Sequence, residues 1–207
     1  MGVFHRATLT PTKAQLIADW LPTTAWGPGP NAEVSVVGAF RFDDPENKVG
    51  IETHLVEADG TLYQVPVTYR EEPAPEAADA FIAEMEHSAL GTRWVYDGVG
   101  DPRYVMMLAG VTMTGQGEAL GVAEVGGRWY VSPVGVRING GGWGLEPVAV
   151  DQFQTDASAG DVVEWTNDRF HLRFHRRPVA APRPAIALTA TWDAQTEPVV
   201  LAEVSEQ

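Results

Sequence analysis

Three runs of alternating apolar and polar residues lie close together in the first third of this chain, and they constrain its fold more than any other feature. They span 33–42, 49–56 and 61–69, and short turns rich in Asp, Gly and Pro separate them. A period of two places every second side chain on one face of a β-strand. Strands joined by short turns pair with their neighbours, so we expect an antiparallel meander. Pro66 has no backbone N–H, so the third strand should lie at an edge or contain a bulge there.

Two helices are predicted on either side of this meander. Residues 10–21 carry an apolar stripe, with Thr10 as the N-cap and Pro11 at the first helical position. The pair Asp101 and Pro102 is typical of a helix start, because Asp caps the free N–H groups and Pro fits the first turn. We expect both helices to pack against the sheet.

The remainder of the chain after Ala119 is predicted to be β-structure without a visible internal repeat. The fold class is therefore α+β, with a few helices and a β-rich C-terminal half. The predicted strands are 119–125, 128–138, 147–153, 161–166, 169–176, 185–193 and 198–204.

Composition excludes several kinds of function. The net charge of −14 argues against nucleic acid as the main partner, because a phosphate backbone repels an acidic protein. The chain has no cysteine, which rules out disulfides and thiolate metal sites and suits a reducing, cytoplasmic location. We expect no membrane span, because no apolar run approaches the necessary length of about 18 residues. We also expect no cofactor, no metal site and no catalytic residue.

A basic segment stands out within this acidic chain, and we define it as residues 169–177. Phe170, Leu172 and Phe174 alternate with polar side chains, so the polar ones should share one strand face. That face could bind an acidic protein surface or a phosphorylated metabolite, or it could be neutralised by acidic residues of the same domain. The candidate interaction residues are His171, Arg173, His175, Arg176 and Arg177. The two histidines should be roughly 13 Å apart on a strand, too far to share one metal ion.

Two further features have a structural and a functional interpretation. Trp143 lies in the glycine-rich run NGGGWG, where it could stack on a sugar ring or anchor a turn to the core. Glu52 and His54 share the polar face of a strand, where either could act as a general base. We expect both to face solvent.

The run MEHSALGTRWVYDGVGDP at 85–102 resembles a segment of the N-terminal cap domain of maltokinases, which phosphorylate a sugar with ATP. Residues 16–29, which include Trp20 and Trp26, are similar to the opening of the same cap, and the resemblance extends over about 16–120. It implies a curved antiparallel sheet with helices, similar to the cystatin fold. It also favours a hairpin, with 81–86 paired to 92–97, over a helix at 77–88.

The resemblance implies two regions, a cap-like domain at 1–125 and a β-rich extension at 126–207 packed on it. Residues 154–177 resemble the first hairpin of a kinase nucleotide lobe. The family's phosphate-contacting Lys would fall at Arg173, and its partner Glu would fall near Ala187. Arg does not replace Lys conservatively at such a site, and Ala cannot form the ion pair.

We therefore expect a non-catalytic accessory or regulatory module linked to trehalose and α-glucan metabolism. The chain up to Gln207 has no room for the kinase catalytic lobe. The alternative is a domain that reuses the cap fold to bind or convert a sugar or sugar phosphate. Expected partners are a protein of α-glucan metabolism or an anionic small molecule, and a homo-oligomer is compatible with the sequence; nucleic acid and membranes are not expected.

Overall fold

The computed structural model describes residues 2–3, 7–142, 147, 149–157, 160–180 and 185–207. Within them are two α-helices, α1 Lys13–Trp20 and α2 Pro102–Thr114, and three 3-10 helices at Leu21–Thr23, Pro75–Ala80 and Gly98–Gly100. The strands are β1 Gly2–Val3, β2 Leu9–Thr10, β3 Val34–Phe42, β4 Gly50–Ala58, β5 Thr61–Arg70, β6 Phe81–His87, β7 Gly91–Asp97, β8 Gly121–Val125, β9 Arg128–Val131, β10 Val136–Gly140, β11 Gln154–Ala157, β12 Val162–Thr166, β13 Phe170–Val179, β14 Ala187–Trp192 and β15 Gln195–Glu206.

The first sheet contains the predicted meander and has the strand order β2-β6-β7-β5-β4-β3, with every pair antiparallel. The predicted hairpin is confirmed, because Glu86 pairs with Thr92 and Phe81 with Tyr96. Pro66 lies inside β5, which is not an edge strand. It is tolerated because β7 pairs with β5 only from Val67 onward, so the missing N–H faces no ladder partner on that side.

The second sheet forms from the C-terminal half and has the order β10-β14-β15-β13-β12-β11, again antiparallel throughout. The predicted strands from 161 onward are confirmed within a few residues at each end. The predicted strand 128–138 is divided in two around Pro133, which cannot donate to a ladder. The strand predicted at 147–153 is wrong, because residue 147 and residues 149–153 have no regular secondary structure.

The two sheets have the same topology, although no repeat is visible in the sequence. In each, three consecutive strands form a meander, and the third pairs with the second strand of the next hairpin. The first strand of that hairpin then pairs with a strand that precedes the meander. The equivalent strands β5 and β13 also pack on one another, and the buried Gln64 side chain of β5 donates to the backbone oxygens of His175 and Leu201, both at 3.1 Å.

One large core lies between the two sheets and includes α2. Ile51 of the first sheet, Tyr104 of α2 and Leu172 of the second sheet are all buried in this cluster. The division predicted between residues 125 and 126 falls at the turn between β8 and β9, and the core contains residues from both sides of it. The sheets therefore depend on each other for burial of their inner faces.

Helix α1 covers the opposite, outer face of the first sheet. Its buried Leu16 and Ile17 pack against Val56 and Val65, and the side chains of Trp20 and Trp26 pack at the edge of this cluster. The helix begins two residues later than predicted, since the side chain of Thr12, not Thr10, accepts the hydrogen bond from Gln15 N at 3.2 Å.

A third, small sheet lies outside both repeats, with the order β1-β8-β9. Gly126 and Gly127 form the turn between β8 and β9, with φ of 60° and 77°. Positive φ at both positions is the geometry of a tight two-residue hairpin, and glycine adopts it without strain.

Among the described residues, no helix is long and apolar enough to cross a membrane.

Candidate functional site

The turn that follows β7 positions two carboxylates four residues apart. Asp97 ends the strand and accepts a hydrogen bond from Val99 N at 3.3 Å, which stabilises the 3-10 turn. Asp101 then caps α2 by accepting from Arg103 N at 2.9 Å, and Pro102 takes the first helical position as predicted. Both side chains are buried, so each needs a charged or hydrogen-bonding partner.

Asp97 finds its partner in the second sheet. Both terminal nitrogens of Arg176 donate to its carboxylate, Nη1 to Oδ1 at 3.1 Å and Nη2 to Oδ2 at 2.5 Å. The Arg176 guanidinium also lies over the ring of Trp26, 4.0 Å from its centre. A bidentate pair with an aromatic cover is a strong and directional arrangement. It joins the turn after β7 and the loop that contains Trp26 to strand β13.

Asp101 is fully buried and binds residues of β5. The Thr68 hydroxyl donates to its Oδ2 at 2.6 Å, and Arg70 donates to both oxygens at 2.9 and 2.6 Å. These hydrogen bonds raise the pKa of Arg70 above its usual value. Arg70 also contacts Glu76 at 3.1 Å. Asp101 therefore joins the start of α2 to the first sheet.

Two adjoining grooves open beside this turn. One has a volume of about 430 Å³ and includes Trp26, Asp79 and Arg176 in its lining. The other has a volume of about 420 Å³ and includes Arg103 and Phe153. They share the walls formed by Glu76, Val99, Gly100 and Thr155. Volumes of this size are at the lower end of small-molecule sites.

The basic segment lies mainly in β13, but its charges are paired within the chain. Arg173 donates to Glu164 and to Glu203, each at 2.7 Å. His171 lies 3.8 Å from Glu164, and His175 lies 3.4 Å from Glu203. Of the two interpretations left open by the sequence, these contacts favour internal neutralisation over an unpaired cationic surface.

The predicted charged face was expected to extend to Arg176, and it does not. Arg173 and His175 share one face of β13, since they lie 2.7 and 3.4 Å from the same oxygen of Glu203. Arg176 is buried on the other face, with its guanidinium 5.8 Å from the ring centre of Phe174, as the period of two requires. Burial lowers the pKa of His175, against the opposing charge of Glu203.

Arg177 stays closer to the surface than Arg176. It donates to Asp161 at 3.0 Å and to the backbone oxygen of Trp26 at 3.3 Å, and its guanidinium lies 5.3 Å from the ring centre of Tyr63. The segment predicted as one charged face thus divides into a surface ladder and a buried link between the sheets. Trp143, the predicted stacking residue, lies outside the described residues.

The expectation that Glu52 and His54 face solvent is wrong. Both lie on the outer face of the first sheet near the start of α1, where His54 Nε2 is 3.5 Å from Glu52 and Lys13 forms an ion pair with the same carboxylate. Burial raises the pKa of Glu52, but the hydrogen bond and charge of His54 and the ammonium of Lys13 outweigh it and hold that pKa well below the usual range. Burial also raises the pKa of Tyr69, whose hydroxyl donates to Glu52 at 3.3 Å.

This cluster was missed because the helix that covers it is distant in sequence. The position of Lys13 near the helix start was the available signal, since its long side chain can reach a carboxylate on the sheet face that the helix covers. The cluster joins α1 to β4 by charge at the place where the apolar contacts of Leu16 and Ile17 end.

A comparison with protein families agrees with the resemblance seen in the sequence. Residues 20–101 match the model of the maltokinase N-terminal cap domain. The match begins at Trp20 and ends at Asp101, so it includes Trp26 and Asp97. No curated protein matches the chain.

Proposed function

We propose that this protein, in which residues 20–101 form a maltokinase N-terminal cap domain, is a non-catalytic accessory or regulatory module of α-glucan metabolism. Maltokinases supply the link to that metabolism, since their cap accompanies an enzyme that makes maltose 1-phosphate. The partner of the module would then be an enzyme of the same pathway, or an anionic metabolite that it produces.

The environment of Arg173 carries the non-catalytic part of this proposal. In the resemblance to a kinase nucleotide lobe, Arg173 takes the position of the phosphate-contacting Lys. Its guanidinium is held between the carboxylates of Glu164 and Glu203, and these would repel the phosphates of ATP. Ala187, at the position of the partner Glu, is buried in β14 and has no charge to offer.

Two acidic residues in the run that resembles the maltokinase cap, Asp97 and Asp101, support the same proposal. Asp97 and Asp101 both form buried ion pairs that hold β13, β5 and α2 together. A carboxylate held by two hydrogen bonds from one arginine is positioned for stability, because releasing it would leave a buried charge unpaired. Asp97 and Asp101 therefore hold the strands and α2 in place, which is a structural role and not a catalytic one.

The test is a kinase assay with the purified chain, ATP, magnesium and maltose, glucose or glucosamine. We expect no sugar phosphate, while a complete maltokinase under the same conditions forms it. Formation at the rate of an ordinary enzyme, above about 1 per second, would overturn the proposal.

The adjoining grooves favour a second candidate function, the binding of a neutral sugar. Both acidic and basic side chains line their walls, and Arg70 and Arg176 are already paired, so the grooves offer hydrogen bonds without a strong net charge. Trp26, whose ring packs against Arg176, adds an aromatic side chain to the lining.

Calorimetric titration with maltose, trehalose and maltotriose tests this candidate. Asp79→Asn changes a groove residue, and Glu57→Gln, an exposed residue of β4, is the matched control. We expect binding that Asp79→Asn weakens and the control leaves unchanged. The absence of heat with all three sugars, or equal affinity of both variants, would remove this candidate.

A further inference from the structure

The third sheet exposes more apolar surface than any other described part of the molecule. Five of the eight large apolar side chains that remain exposed in the described residues belong to it or adjoin it. They are Leu120, Val125, Trp129, Tyr130 and Val131, exposed to 59%, 52%, 60%, 52% and 64%. Trp129 and Val131 point to one face of the hairpin and Tyr130 to the other, so both faces present apolar side chains to solvent. Apolar surface concentrated in one exposed element indicates an interaction site in a folded protein.

Strand β9 is the edge of this sheet, and its outward backbone groups can be identified. Ser132 N donates to Gly121 O at 2.9 Å, so the even-numbered residues of the strand direct their backbone groups toward β8. The N–H and C=O groups of Trp129 and Val131 therefore point away from the sheet. The strand has no proline, lysine or register shift that would block pairing with another strand.

We propose that this edge pairs with the same edge of a second copy of the chain, in an antiparallel arrangement around a two-fold axis at Tyr130. In antiparallel pairs, residues with outward backbone groups exchange hydrogen bonds. Trp129 of one copy then lies opposite Val131 of the other, and the two Tyr130 residues face each other. Both are favourable cross-strand pairs, aromatic with β-branched and aromatic with aromatic. The small sheets of the two copies become one continuous sheet of six strands.

The available area and the local charge both fit a second copy. Side chains of this size, half or more exposed, offer on the order of 500 Å² per copy, or roughly 1,000 Å² in the pair, which is the lower limit for a specific interface. Glu124 and Arg128 cancel within the hairpin, whereas the chain as a whole carries −14. Two acidic copies approach with least repulsion where the surface is locally neutral.

Sedimentation analysis of the 207-residue chain tests the proposal directly. We expect a species of twice the 22.4 kDa monomer mass, with a Kd below roughly 100 µM. Trp129→Glu places a charge opposite Val131 and should weaken the dimer by about 30-fold or more. Leu90→Ser, at a comparably exposed apolar residue in the turn between β6 and β7, should leave it unchanged. A wild-type chain that stays monomeric overturns the proposal. A dimer that Trp129→Glu does not weaken overturns it too. Binding of a different protein to the hairpin would not rescue the proposal in either case.

A disulfide cross-link tests the two-fold register. The chain has no cysteine of its own, so an introduced cysteine can pair only with the same residue of another copy. Residues that face each other without mutual hydrogen bonds have Cα atoms about 4.5 Å apart, within the range that a disulfide spans. Under mild oxidation, Tyr130→Cys should give a covalent dimer, and Leu90→Cys should stay monomeric at the same concentration. Failure of Tyr130→Cys to cross-link, or equal cross-linking of both variants, overturns the register.

Discussion

The two six-stranded sheets share one topology but cover their outer faces by different means. In the first sheet, α1 lies on that face and buries Leu16 and Ile17 against the strands. In the second, Arg173 between Glu164 and Glu203 forms a ladder of charges that remains partly exposed. The difference teaches that this topology demands one buried face, toward the shared core, and accepts either a helix or paired charges on the other.

The comparison also gives the basic segment a structural explanation. A sheet face that no apolar layer covers has to be polar, and alternating opposite charges on neighbouring strands make it polar with favourable cross-strand pairs. Pairs at the surface add little stability, so the ladder's main effect is compatibility with water. Arg176 differs from the ladder because it turns inward to Asp97 and joins the two sheets.

The largest effect should follow from cutting the link between the sheets. Arg176→Ala leaves Asp97 buried without its partner and removes the guanidinium from Trp26, so we expect a loss of about 3–5 kcal/mol in the free energy of unfolding. Urea denaturation measures it. Arg169→Ala, which removes an exposed pair with Glu206 just before the same strand, is the control and should cost less than about 1 kcal/mol. Equal losses in the two variants would mean that the Asp97 pair does not join the sheets.

A smaller effect should distinguish the two outer faces. Ile17→Ala creates a cavity beneath α1 and should cost about 2–4 kcal/mol. Arg173→Ala removes the centre of the charge ladder and should cost less than about 1 kcal/mol. The same urea titrations decide the matter. If both variants lose the same free energy of unfolding, the charge ladder stabilises its sheet as strongly as α1 stabilises the first sheet. That result would contradict the difference between the two outer faces.

The decrease in the free energy of unfolding at acid pH should depend on Glu52 in the first sheet. The pKa of Glu52 is depressed in the folded state, so its contribution is complete above the unfolded value near 4.3 and is lost as pH falls through the folded pKa. We expect Glu52→Gln to cost about 1–2 kcal/mol at pH 7 and progressively less in acid. Unfolding midpoints measured at neutral pH and in acid test this. The control is Glu57→Gln, and a constant cost of Glu52→Gln across the range would contradict the prediction.

The smallest effect should come from His175 in the second sheet, as a change in the free energy of unfolding between pH 7 and pH 5. Burial lowers the pKa of His175, so the unfolded chain binds its proton more readily than the folded one. Stability is then complete above the unfolded value near 6.5 and decreases as pH falls through the folded pKa, by less than about 1 kcal/mol. In His175→Gln, the urea unfolding midpoint should therefore change less between pH 7 and pH 5 than it does in the wild-type chain. His171→Gln, on the more exposed part of the strand, serves as control, and an unchanged slope in His175→Gln would refute the assignment.

Much of the first sheet could be predicted because its information is local. Alternation and turn residues identified β3, β4 and β5, and the Asp101–Pro102 pair marked the start of α2. The cap resemblance selected the hairpin of β6 and β7, where residue propensities alone were ambiguous. In the second sheet, β12 to β15 were predicted, but β11 and the strand order were not, because pairing between distant strands leaves no local signature.

The candidate site was predicted less well, for a physical reason. The sequence identified Asp101 as a helix start and Arg176 as part of the basic segment, but it could not show that Arg176 pairs with Asp97 across 79 positions. Glu52 and His54 were expected to face solvent. The alternation along a strand shows which residues share a face, but it does not show which element packs on that face.

The sequence by itself therefore determined the strands of the meander, the start of α2 and the absence of disulfides, since each depends on neighbouring residues or on composition. Only the tertiary structure decided which faces are covered, which charges pair and that the two halves repeat one topology. Those properties arise from packing between segments far apart in the chain, where burial makes an unpaired charge costly and so selects its partner.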